Sequence, residues 1–396
     1  MRKRIRVGII GCGAISDSHI KGYLSFPERA QIVATCDIIK ERAQSKAEKV
    51  MSEYTKRGHQ VTDKKGIPEK REATRVRQDL FLEYSKNDVQ VFTDFNKILQ
   101  LPILDAVSVC TPPFTHAPIT IAAAKAGKHI YCEKPMALNA TEAKAMRDEC
   151  DKKGVKLGYQ SGGMRLGAKN YAIRNYIVSG KLGDVYYGRM TNFRVRGRPG
   201  IDILTDSKWF IDSRKAGGGV LQDIGVYDID RVLYLLGDPQ PVTVSSIAYR
   251  GIGEPVDIGG YVYDVEEHAT VFVRFENGMS FTFEEGWTTN MPDVGGLYIF
   301  GAKGAFKGDA LFIEKDKKII EKKLEIPNIP NPDKIGDFLN ACTGGARPIS
   351  TGEDGVKVME IISGALLSAK LGREITIPEL YAIEKIHSEP GGGWSI

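Results

Sequence analysis

The first 160 residues alternate short apolar runs with stretches of helical period, and this alternation limits the possible folds more than any other feature of the chain. The runs are RIRVGIIG, QIVATCD, DAVSVCT, HIYCEKP and VKLGYQS. Strands that are separated by helices pair in parallel and carry helices on both faces of their sheet. The pattern therefore predicts an α/β domain with a parallel sheet over residues 1–158. A charged insertion at about 45–88 interrupts it after the second strand and is expected to extend a surface helix.

From about residue 183 the pattern changes to longer β runs, which read GDVYYGRMTNFRVRG, PVTVSSIAYRG, EEHATVFVRFENGMSFTFEEGWT and GGLYIFGAKGAFKG. The triplet ENG in the third run predicts a tight hairpin. Helices are predicted at about 220–236, at about 333–342 and from 352 to Gly372. Residues 159–396 are therefore predicted to form an α+β domain with a mostly antiparallel sheet, followed by an extended or partly ordered tail, SEPGGGWSI.

Composition and charge narrow the class of protein. The chain has 396 residues, of which 42% are apolar and 27% charged, which is typical of a globular protein with two or three domains. The first apolar stretch breaks at glycines after four residues, so we expect neither a signal peptide nor a membrane span and predict a cytoplasmic protein. Six cysteines without C-x-x-C pairing predict neither a metal site nor disulfides. Interleaved charges in the insertion favour a solvated helix over a nucleic-acid arm.

The first strand runs directly into a glycine-rich turn that opens a helix. The turn consists of Gly11, Cys12, Gly13, Ala14, Ile15 and Ser16. Gly11 allows a tight turn, Gly13 lets the backbone approach a pyrophosphate, and amides at the helix N-terminus can bind its charge. Asp37 closes the second strand 24 residues after Gly13, where a carboxylate accepts hydrogen bonds from an adenosine ribose and repels a 2'-phosphate. A glycine pair alone also fits a plain turn, but this context predicts dinucleotide binding and favours NAD over NADP.

Two later strands end in residues that should face the same crevice. In an open α/β sheet, ligands collect at the carboxyl ends of the strands. The run DAVSVCT leads into Thr111 and Pro112, and HIYCEKP contains Lys134 at its end. We therefore expect these three residues beside the bound dinucleotide. His116, at the start of the next helix, either contacts the cofactor region or only caps its helix.

Lys134 stands between Glu133 and Pro135 at the end of an apolar strand. A partly desolvated ammonium beside the nicotinamide can hold and polarise a hydroxyl or carbonyl oxygen while hydride passes to or from the neighbouring carbon. Pro135 is expected to lock the backbone, with a cis bond as one way to do so, and thus to fix where the ammonium points. A surface lysine at a strand end is the alternative, but it leaves the Glu-Lys-Pro turn unexplained.

The motifs GCGAIS, TPPFTH, YCEKPMA and AGGGVLQDIGVYDID, in this order and at these distances, resemble those of the glucose-fructose oxidoreductase, inositol dehydrogenase and rhizopine-catabolism (Gfo/Idh/MocA) family. The resemblance covers most of the chain outside the insertion and the last residues. It implies an N-terminal Rossmann domain, with Glu133 in the cofactor site. It also implies a C-terminal domain with a large open sheet that mediates assembly into a homodimer or homotetramer. The active site would lie between the two domains.

The segment Gly217–Gly219 permits a backbone turn against substrate or cofactor. The helix that follows places Asp223 and Tyr227 on one face, with Asp230 a turn further along. The family's commonest pattern has histidine where Tyr227 stands, although glucose-fructose oxidoreductase is similar to this chain in carrying tyrosine. We expect Tyr227 to accept the proton of the substrate hydroxyl, with Lys134 lowering its pKa from the usual ~10, and Asp223 to anchor an adjacent hydroxyl. An ordinary helix with a buried tyrosine and a capping aspartate is the alternative.

The candidates for the substrate wall are Gln160, Arg165 and Trp209. An Arg165 that faces the cleft suits a carboxylate or phosphate on the substrate, whereas a surface salt bridge is the alternative. Trp209 can stack on a sugar ring or pack in the core.

The leading hypothesis is an NAD-dependent dehydrogenase that reversibly oxidises a hydroxyl of a sugar, glycoside or cyclitol. Tyr227 leaves open a sugar-sugar oxidoreductase that retains its nicotinamide through the cycle. A ligand sensor without catalysis, built on the same fold and nucleotide site, is the third hypothesis, and the intact Glu133-Lys134-Pro135 segment disfavours it.

Overall fold

The strands of the computed structural model form two separate sheets. The structure describes residues 4–59, 68–253, 256–292, 294–328, 333–345 and 347–387. The strands are β1 Ile5–Ile10, β2 Ala30–Cys36, β3 Gln90–Phe92, β4 Ala106–Val109, β5 His129–Cys132, β6 Leu157–Tyr159, β7 Val185–Phe193, β8 Pro241–Tyr249, β9 His268–Phe275, β10 Ser280–Gly286, β11 Gly295–Gly301, β12 Gly304–Lys307, β13 Ala310–Lys315, β14 Lys318–Lys322 and β15 Ile375–Thr376. The helices are α1 Ser16–Leu24, α2 Lys40–Gly58, α3 Pro68–Tyr84, α4 Phe95–Leu99, α5 His116–Lys125, α6 Ala140–Lys153, α7 Ala168–Val178, α8 Ser213–Ala216, α9 Val226–Leu235, α10 Lys334–Cys342, α11 Gly352–Leu371 and α12 Ile377–His387.

The first sheet has the order β3-β2-β1-β4-β5-β6, and all its neighbouring strands are parallel. This is the strand order of a doubly wound nucleotide-binding sheet, so the predicted α/β fold is confirmed. The five predicted strands are present. The sixth, β3, has only three residues at a partly exposed edge, and such a strand is too short to show a period of its own.

The second sheet, in the described residues, has nine strands in the order β14-β13-β12-β11-β7-β10-β9-β8-β15. The pair β7 and β10 is parallel, and the other neighbours are antiparallel. The predicted mostly antiparallel sheet is thus confirmed, and the predicted ENG hairpin joins β9 to β10 through Gly278 at φ +82°. Tyr186, Ile247 and Tyr249 are exposed on this sheet, while its use in assembly stays a prediction.

The charged insertion contains more than an extended surface helix. After α2, the helix α3 packs back against it, and between them Tyr54, Phe81 and Tyr84 form a buried aromatic cluster with ring centroids 5.3–6.5 Å apart. The Tyr54 hydroxyl accepts a hydrogen bond from the amide of Ile32 in β2 at 2.8 Å. The aromatic cluster therefore attaches the insertion to β2 of the first sheet through Tyr54, although the overall composition of the insertion is charged.

Of the C-terminal helices, α10 and α11 agree with the prediction, whereas α12 was not predicted. α10 packs on α1, while α11 lies against β8 and also against α6. α11 begins with a capping box, in which Thr351 and Asp354 bond each other's backbone amides, and is followed by Gly372 at φ +67°. The tail SEPGGGWSI lies outside the described residues. None of the helices in the described part of the chain has the length and apolar character that crossing a membrane requires.

Candidate active site

The glycine-rich turn lies at the carboxyl edge of the first sheet, between β1 and α1. Gly11 has φ +89°, and a Cβ atom on it would lie 2.6 Å from the carbonyl carbon of Cys110, so only glycine fits. A Cβ built on Gly13 would meet no atom within 4 Å, so the backbone there faces open space. The amides of Gly13, Ala14 and Ile15 donate no hydrogen bond to any described residue. An open cradle of free amides at a helix N-terminus fits a pyrophosphate.

Asp37 adjoins this cradle at the end of β2. Its Oδ2 accepts a hydrogen bond from the amide of Cys12 at 2.8 Å, and its Oδ1 accepts one from the amide of Ile39 at 2.9 Å. These bonds orient the carboxylate beside the glycine turn and leave it half-buried. The position is the one that a ribose-binding carboxylate takes next to a pyrophosphate site.

Of the two roles that the sequence suggested for His116, capping of α5 is not observed, and a contact with the cofactor itself stays a prediction. His116 is fully buried, with Nδ1 2.8 Å from the carbonyl oxygen of Pro135 and Nε2 2.8 Å from that of Thr111. It makes no capping bond to α5. Both ring nitrogens are engaged by backbone, so the imidazole braces the ends of β4 and β5 against each other. Thr111 itself lies beside Gly11, and Pro112 leads into the next turn, which places both at the predicted crevice.

Glu133, expected in the cofactor site, is buried and bonded within the protein. Its Oε1 lies 2.8 Å from Nε2 of His19, and its Oε2 accepts a hydrogen bond from the amide of Lys134 at 3.1 Å. Burial alone would raise the pKa of Glu133, but the hydrogen bond and charge of His19 outweigh it and lower that pKa. Glu133 therefore holds the backbone of the next residue. The sequence analysis missed His19, because its partner is 114 positions away.

Lys134 points across the crevice to the second domain. Its peptide bond to Pro135 is cis. Its Nζ donates hydrogen bonds to Oδ1 of Asp223 at 2.9 Å and to the backbone carbonyl of the same residue at 2.6 Å. It also lies 4.8 Å from the centre of the Tyr227 ring. Burial alone would lower the pKa of Lys134, but Asp223 and Tyr227 raise it on balance, so the ammonium keeps its charge at neutral pH.

The pKa of Tyr227 differs from the expectation. Burial raises it above the usual value, and the nearby ammonium of Lys134 only partly offsets this effect. Glu133 and Asp223 raise it further. The expected net lowering by Lys134 is therefore wrong for the protein without ligands, because desolvation disfavours the phenolate and Asp223 neutralises the ammonium.

Asp223 is held by three groups of the protein. Besides its bonds to Lys134, its Oδ2 accepts a hydrogen bond from Nε1 of Trp287 at 3.0 Å, and the guanidinium of Arg194 lies 3.9 Å away. Trp287 is fully buried directly after β10. The sequence analysis singled out neither Trp287 nor Arg194, since each directly follows a strand that only the sheet brings to this helix.

The triple glycine packs against protein and does not face a ligand. A Cβ on Gly219 would lie 2.0 Å from the backbone oxygen of Glu266, and one on Gly217 would lie 2.7 Å from that of Leu138. The Glu266 carboxylate accepts hydrogen bonds from the amides of Gly219 and Leu221. Burial nevertheless raises the pKa of Glu266 to about 7. The glycines are needed because two segments of backbone approach this turn closely.

Arg165 does not face the cleft, so the expected contact with a substrate carboxylate or phosphate is wrong. Its side chain is 2% exposed and binds Asp230 through Nε at 3.0 Å and Nη2 at 2.6 Å. Asp238 and Asp354 lie within 3.2 Å of Nη1. The expected alternative, a surface salt bridge, is also wrong, because a buried guanidinium needs this complete set of carboxylates. Asp230 is fully buried in this ion pair and does not face the cleft.

Gln160 and Trp209, the other wall candidates, have neighbours in the protein. The buried Gln160 accepts a hydrogen bond from the hydroxyl of Tyr131 at 2.5 Å. Trp209 is half-buried and stacks on Phe210, with ring centroids 3.7 Å apart. Their contacts with substrate stay predictions.

The helix that carries Tyr227 turns a narrow stripe towards solvent. It begins with a π turn, Leu221–Gly225, and continues as α9. Within residues 220–236, which the structure describes completely, Asp223, Tyr227 and Arg231 are half-buried and the other residues are buried. Single π turns are common at functional sites. The predicted alignment of Asp223 and Tyr227 is therefore present, and Arg231, which the sequence analysis missed, extends it by a turn.

Comparison with known families agrees with this geometry. Residues 5–161 match the model described as "Oxidoreductase family, NAD-binding Rossmann fold", GFO_IDH_MocA, and residues 171–307 match the model of the GFO/IDH/MocA C-terminal domain. The chain belongs to the Gfo/Idh/MocA family. The predicted family and the prediction of an oxidoreductase are thereby confirmed.

Individual relatives are distant but span nearly the whole chain. D-glucoside 3-dehydrogenase of Escherichia coli is 24% identical over 94% of this chain and 97% of its own length. Myo-inositol 2-dehydrogenase of Thermotoga maritima is 22% identical over 95% of this chain and 99% of its own length. The solved structure of aldose-aldose oxidoreductase from Caulobacter crescentus, complexed with glycerol, shares the fold with a TM-score of 0.67 at 23% identity, over 94% of this chain and all of that one.

Proposed function

We propose that this Gfo/Idh/MocA protein is an NAD-dependent dehydrogenase that reversibly oxidises a hydroxyl of a sugar, glycoside or cyclitol. The observation that carries the proposal is the convergence of two side chains from different domains. Lys134 ends a strand at the nucleotide edge, and its ammonium lies 4.8 Å from the ring centre of Tyr227 on α9. A cation and a phenol at such a place can act on one hydroxyl. Relatives named for their action on a glucoside and on myo-inositol support the substrate class.

Each residue of the cleft has a distinct part in the proposed reaction. Lys134 donates a hydrogen bond to the substrate oxygen, and Tyr227 accepts the proton of the same hydroxyl. A substrate that replaces Asp223 as the partner of Lys134 leaves the ammonium free to stabilise the phenolate, which offsets the burial that raises the pKa of Tyr227. Asp223, still bonded to Trp287, then accepts a hydrogen bond from a neighbouring hydroxyl of the substrate.

The residues at the first sheet fit NAD. The amides of Gly13, Ala14 and Ile15 would hold its pyrophosphate and the carboxylate of Asp37 its adenosine ribose, and Asp37 would repel the additional phosphate of NADP. Ile38, next to Asp37, is 89% exposed and supplies no cation for that phosphate. When bound, NAD accepts the hydride from the carbon that carries the hydroxyl.

The test is NAD reduction at alkaline pH with a panel of aldoses, glycosides, inositols and uronic acids. We expect NADH to form with at least one class and less readily with NADP in place of NAD. Binding of panel sugars to the NAD complex with no turnover would contradict the proposal and favour a ligand sensor. Cofactor that stays bound through purification, with turnover only when two sugars are supplied together, would favour a sugar-sugar oxidoreductase.

A further inference from the structure

Arg231 is a half-buried cation on the same face of α9 as Tyr227. No described residue forms an ion pair with it. Its Nε donates a hydrogen bond to Oδ1 of Asn170 at 3.2 Å, which orients the guanidinium. The two terminal amino groups have no hydrogen-bond partner in the described part of the chain. Arg231 differs in this from Arg165 and Arg174, two arginines of the same region whose guanidinium groups form ion pairs with carboxylates.

The guanidinium borders a cavity of about 620 Å³, which is large enough for part of a substrate. Lys169, Asn170 and Asp309 also line this cavity. Asp309 is its carboxylate, and it forms an ion pair with Lys169. The charge of Arg231 also lowers the pKa of Asp309, so two cations share one carboxylate and the wall of the cavity carries a net positive charge.

A second carboxylate, Asp228, lies three residues before Arg231 on a neighbouring part of the same helix surface. Asp228 is buried and accepts a hydrogen bond from Nδ2 of Asn192 at 2.6 Å. Burial raises the pKa of Asp228. The charge of Arg231 partly offsets this effect, but Asp228 forms no ion pair with Arg231 and does not line the cavity.

The cavity is lined by residues of α7, by the turn between β12 and β13 and by Arg231, and it is related to Tyr227 through the spacing along α9. Four residues separate Tyr227 from Arg231, which is about 6 Å along an α-helix. Both side chains belong to the same exposed stripe. A sugar whose reacting hydroxyl lies at Tyr227 can therefore reach Arg231 with a substituent on the far side of its ring. The planar fork of a guanidinium binds carboxylate and phosphate oxygens in pairs.

We propose that Arg231 is a specificity-determining residue that selects substrates with an anionic group, a carboxylate or a phosphate, on the side of the ring away from the oxidised carbon. This inference rests on the proposed dehydrogenase function and narrows its substrate class. Asn170 is a positioning residue that orients the guanidinium. The anion contact that the sequence assigned to Arg165 is thus made by Arg231, because Arg165 is consumed by its carboxylates.

The experiment compares kcat/KM for methyl β-D-glucoside, which is neutral, and methyl β-D-glucuronide, which carries a carboxylate. Glucose 1-phosphate is the third substrate and tests a phosphate in place of the carboxylate. We expect the wild-type protein to prefer an anionic member by about 10-fold or more, and Arg231→Gln to lower the ratio of anionic to neutral kcat/KM by about 10- to 100-fold. Arg231→Lys keeps the charge without the fork and should lower the ratio less. Lys181→Gln, which removes an exposed charge beyond the end of α7, is the control and should leave the ratio unchanged.

Equal preference for neutral and anionic sugars in the wild type, or an Arg231→Gln ratio equal to that of the wild type, would overturn the inference. Failure of the proposed function gives a different result, namely no turnover with any sugar. In that case, the role of Arg231 is tested by calorimetric titration of the NADH-loaded protein with methyl β-D-glucuronide. Binding that Arg231→Gln weakens supports the role of Arg231, and binding that is absent or insensitive to the substitution contradicts it.

Discussion

The two sides of the cleft differ in the kind of contact that builds them. On the nucleotide side, Gly11, Gly13 and Asp37 act through backbone conformation and backbone amides, and each follows the end of a strand. On the substrate side, Asp223 and Tyr227 depend on side chains that come from other elements. A binding site built from backbone amides can therefore be predicted from a local sequence motif. A site built from side chains cannot, because the tertiary structure determines which side chains meet.

The two sides also differ in their electrostatics. The carboxylate of Asp37 is half-buried and satisfied by two amides. On the substrate side the charges are buried in pairs, Lys134 with Asp223 across the cleft and Arg165 with Asp230 within the second domain. Removing one member of such a pair leaves the other desolvated and unpaired. We therefore expect substitutions on the substrate side to have the larger effects.

The largest effect is expected for Lys134→Ala, which removes the cation from the substrate oxygen and from Tyr227. We expect kcat to fall by about 10³- to 10⁴-fold, because this one substitution removes both the hydrogen bond to the substrate oxygen and the positive charge that stabilises the phenolate of Tyr227. NADH affinity, measured by fluorescence titration, should change little, since the amides proposed to hold the pyrophosphate belong to the glycine turn before α1. Turnover close to that of the wild type would show that the two sides do not meet at Lys134.

The next effect concerns stability and tests whether Arg165 is structural. Arg165→Met leaves Asp230 buried without a counterion and should lower the free energy of unfolding by about 3–5 kcal/mol. Chemical denaturation measures this loss, with the exposed Lys181→Gln as a control. If unfolding were unchanged while the KM for an anionic sugar rose, Arg165 would face the cleft after all.

A smaller loss is expected for Tyr227→Phe, about 10²- to 10³-fold in kcat/KM for oxidation, since proton transfer to a positioned base is lost. The base form of Tyr227 is the phenolate. Because burial raises the pKa of this phenol, oxidation by the wild type should increase with pH through the neutral and alkaline range, about tenfold per unit below the pKa. The variant should lose this slope. Parallel pH profiles for the two proteins would assign the base elsewhere.

The smallest effect is expected on the nucleotide side. Asp37→Ser removes the carboxylate from the ribose site and should raise the KM for NAD by about 10-fold, the size of one charge-assisted hydrogen bond. The KM for NADP should fall or stay constant, because the repulsion of its phosphate is relieved. Steady-state measurements with both nucleotides check this, and an unchanged ratio of the two KM values would place the ribose away from Asp37.

Particular residues show how far the sequence could be read. The glycine turn, the strand ends and the stripe of Asp223 and Tyr227 follow from spacing within one or two elements, and these were predicted. His19 and Trp287 were missed because their partners lie far away in the chain. The aromatic contacts in the insertion were hidden by its charged composition. The net pKa of Tyr227 was predicted in the wrong direction, because burial cannot be read from neighbouring residues.

The sequence by itself determined the α/β domain, the nucleotide edge and the place of Lys134 at the end of its strand. These depend on periodicity and on backbone conformation, which neighbouring residues control. Only the tertiary structure decided which charges are paired. It buried Arg165 among carboxylates, gave Asp223 to Lys134 and Trp287, and left Arg231 unpaired at the cavity. The physical reason is that ion-pair and desolvation energies depend on distance and burial in three dimensions, and a linear pattern contains neither.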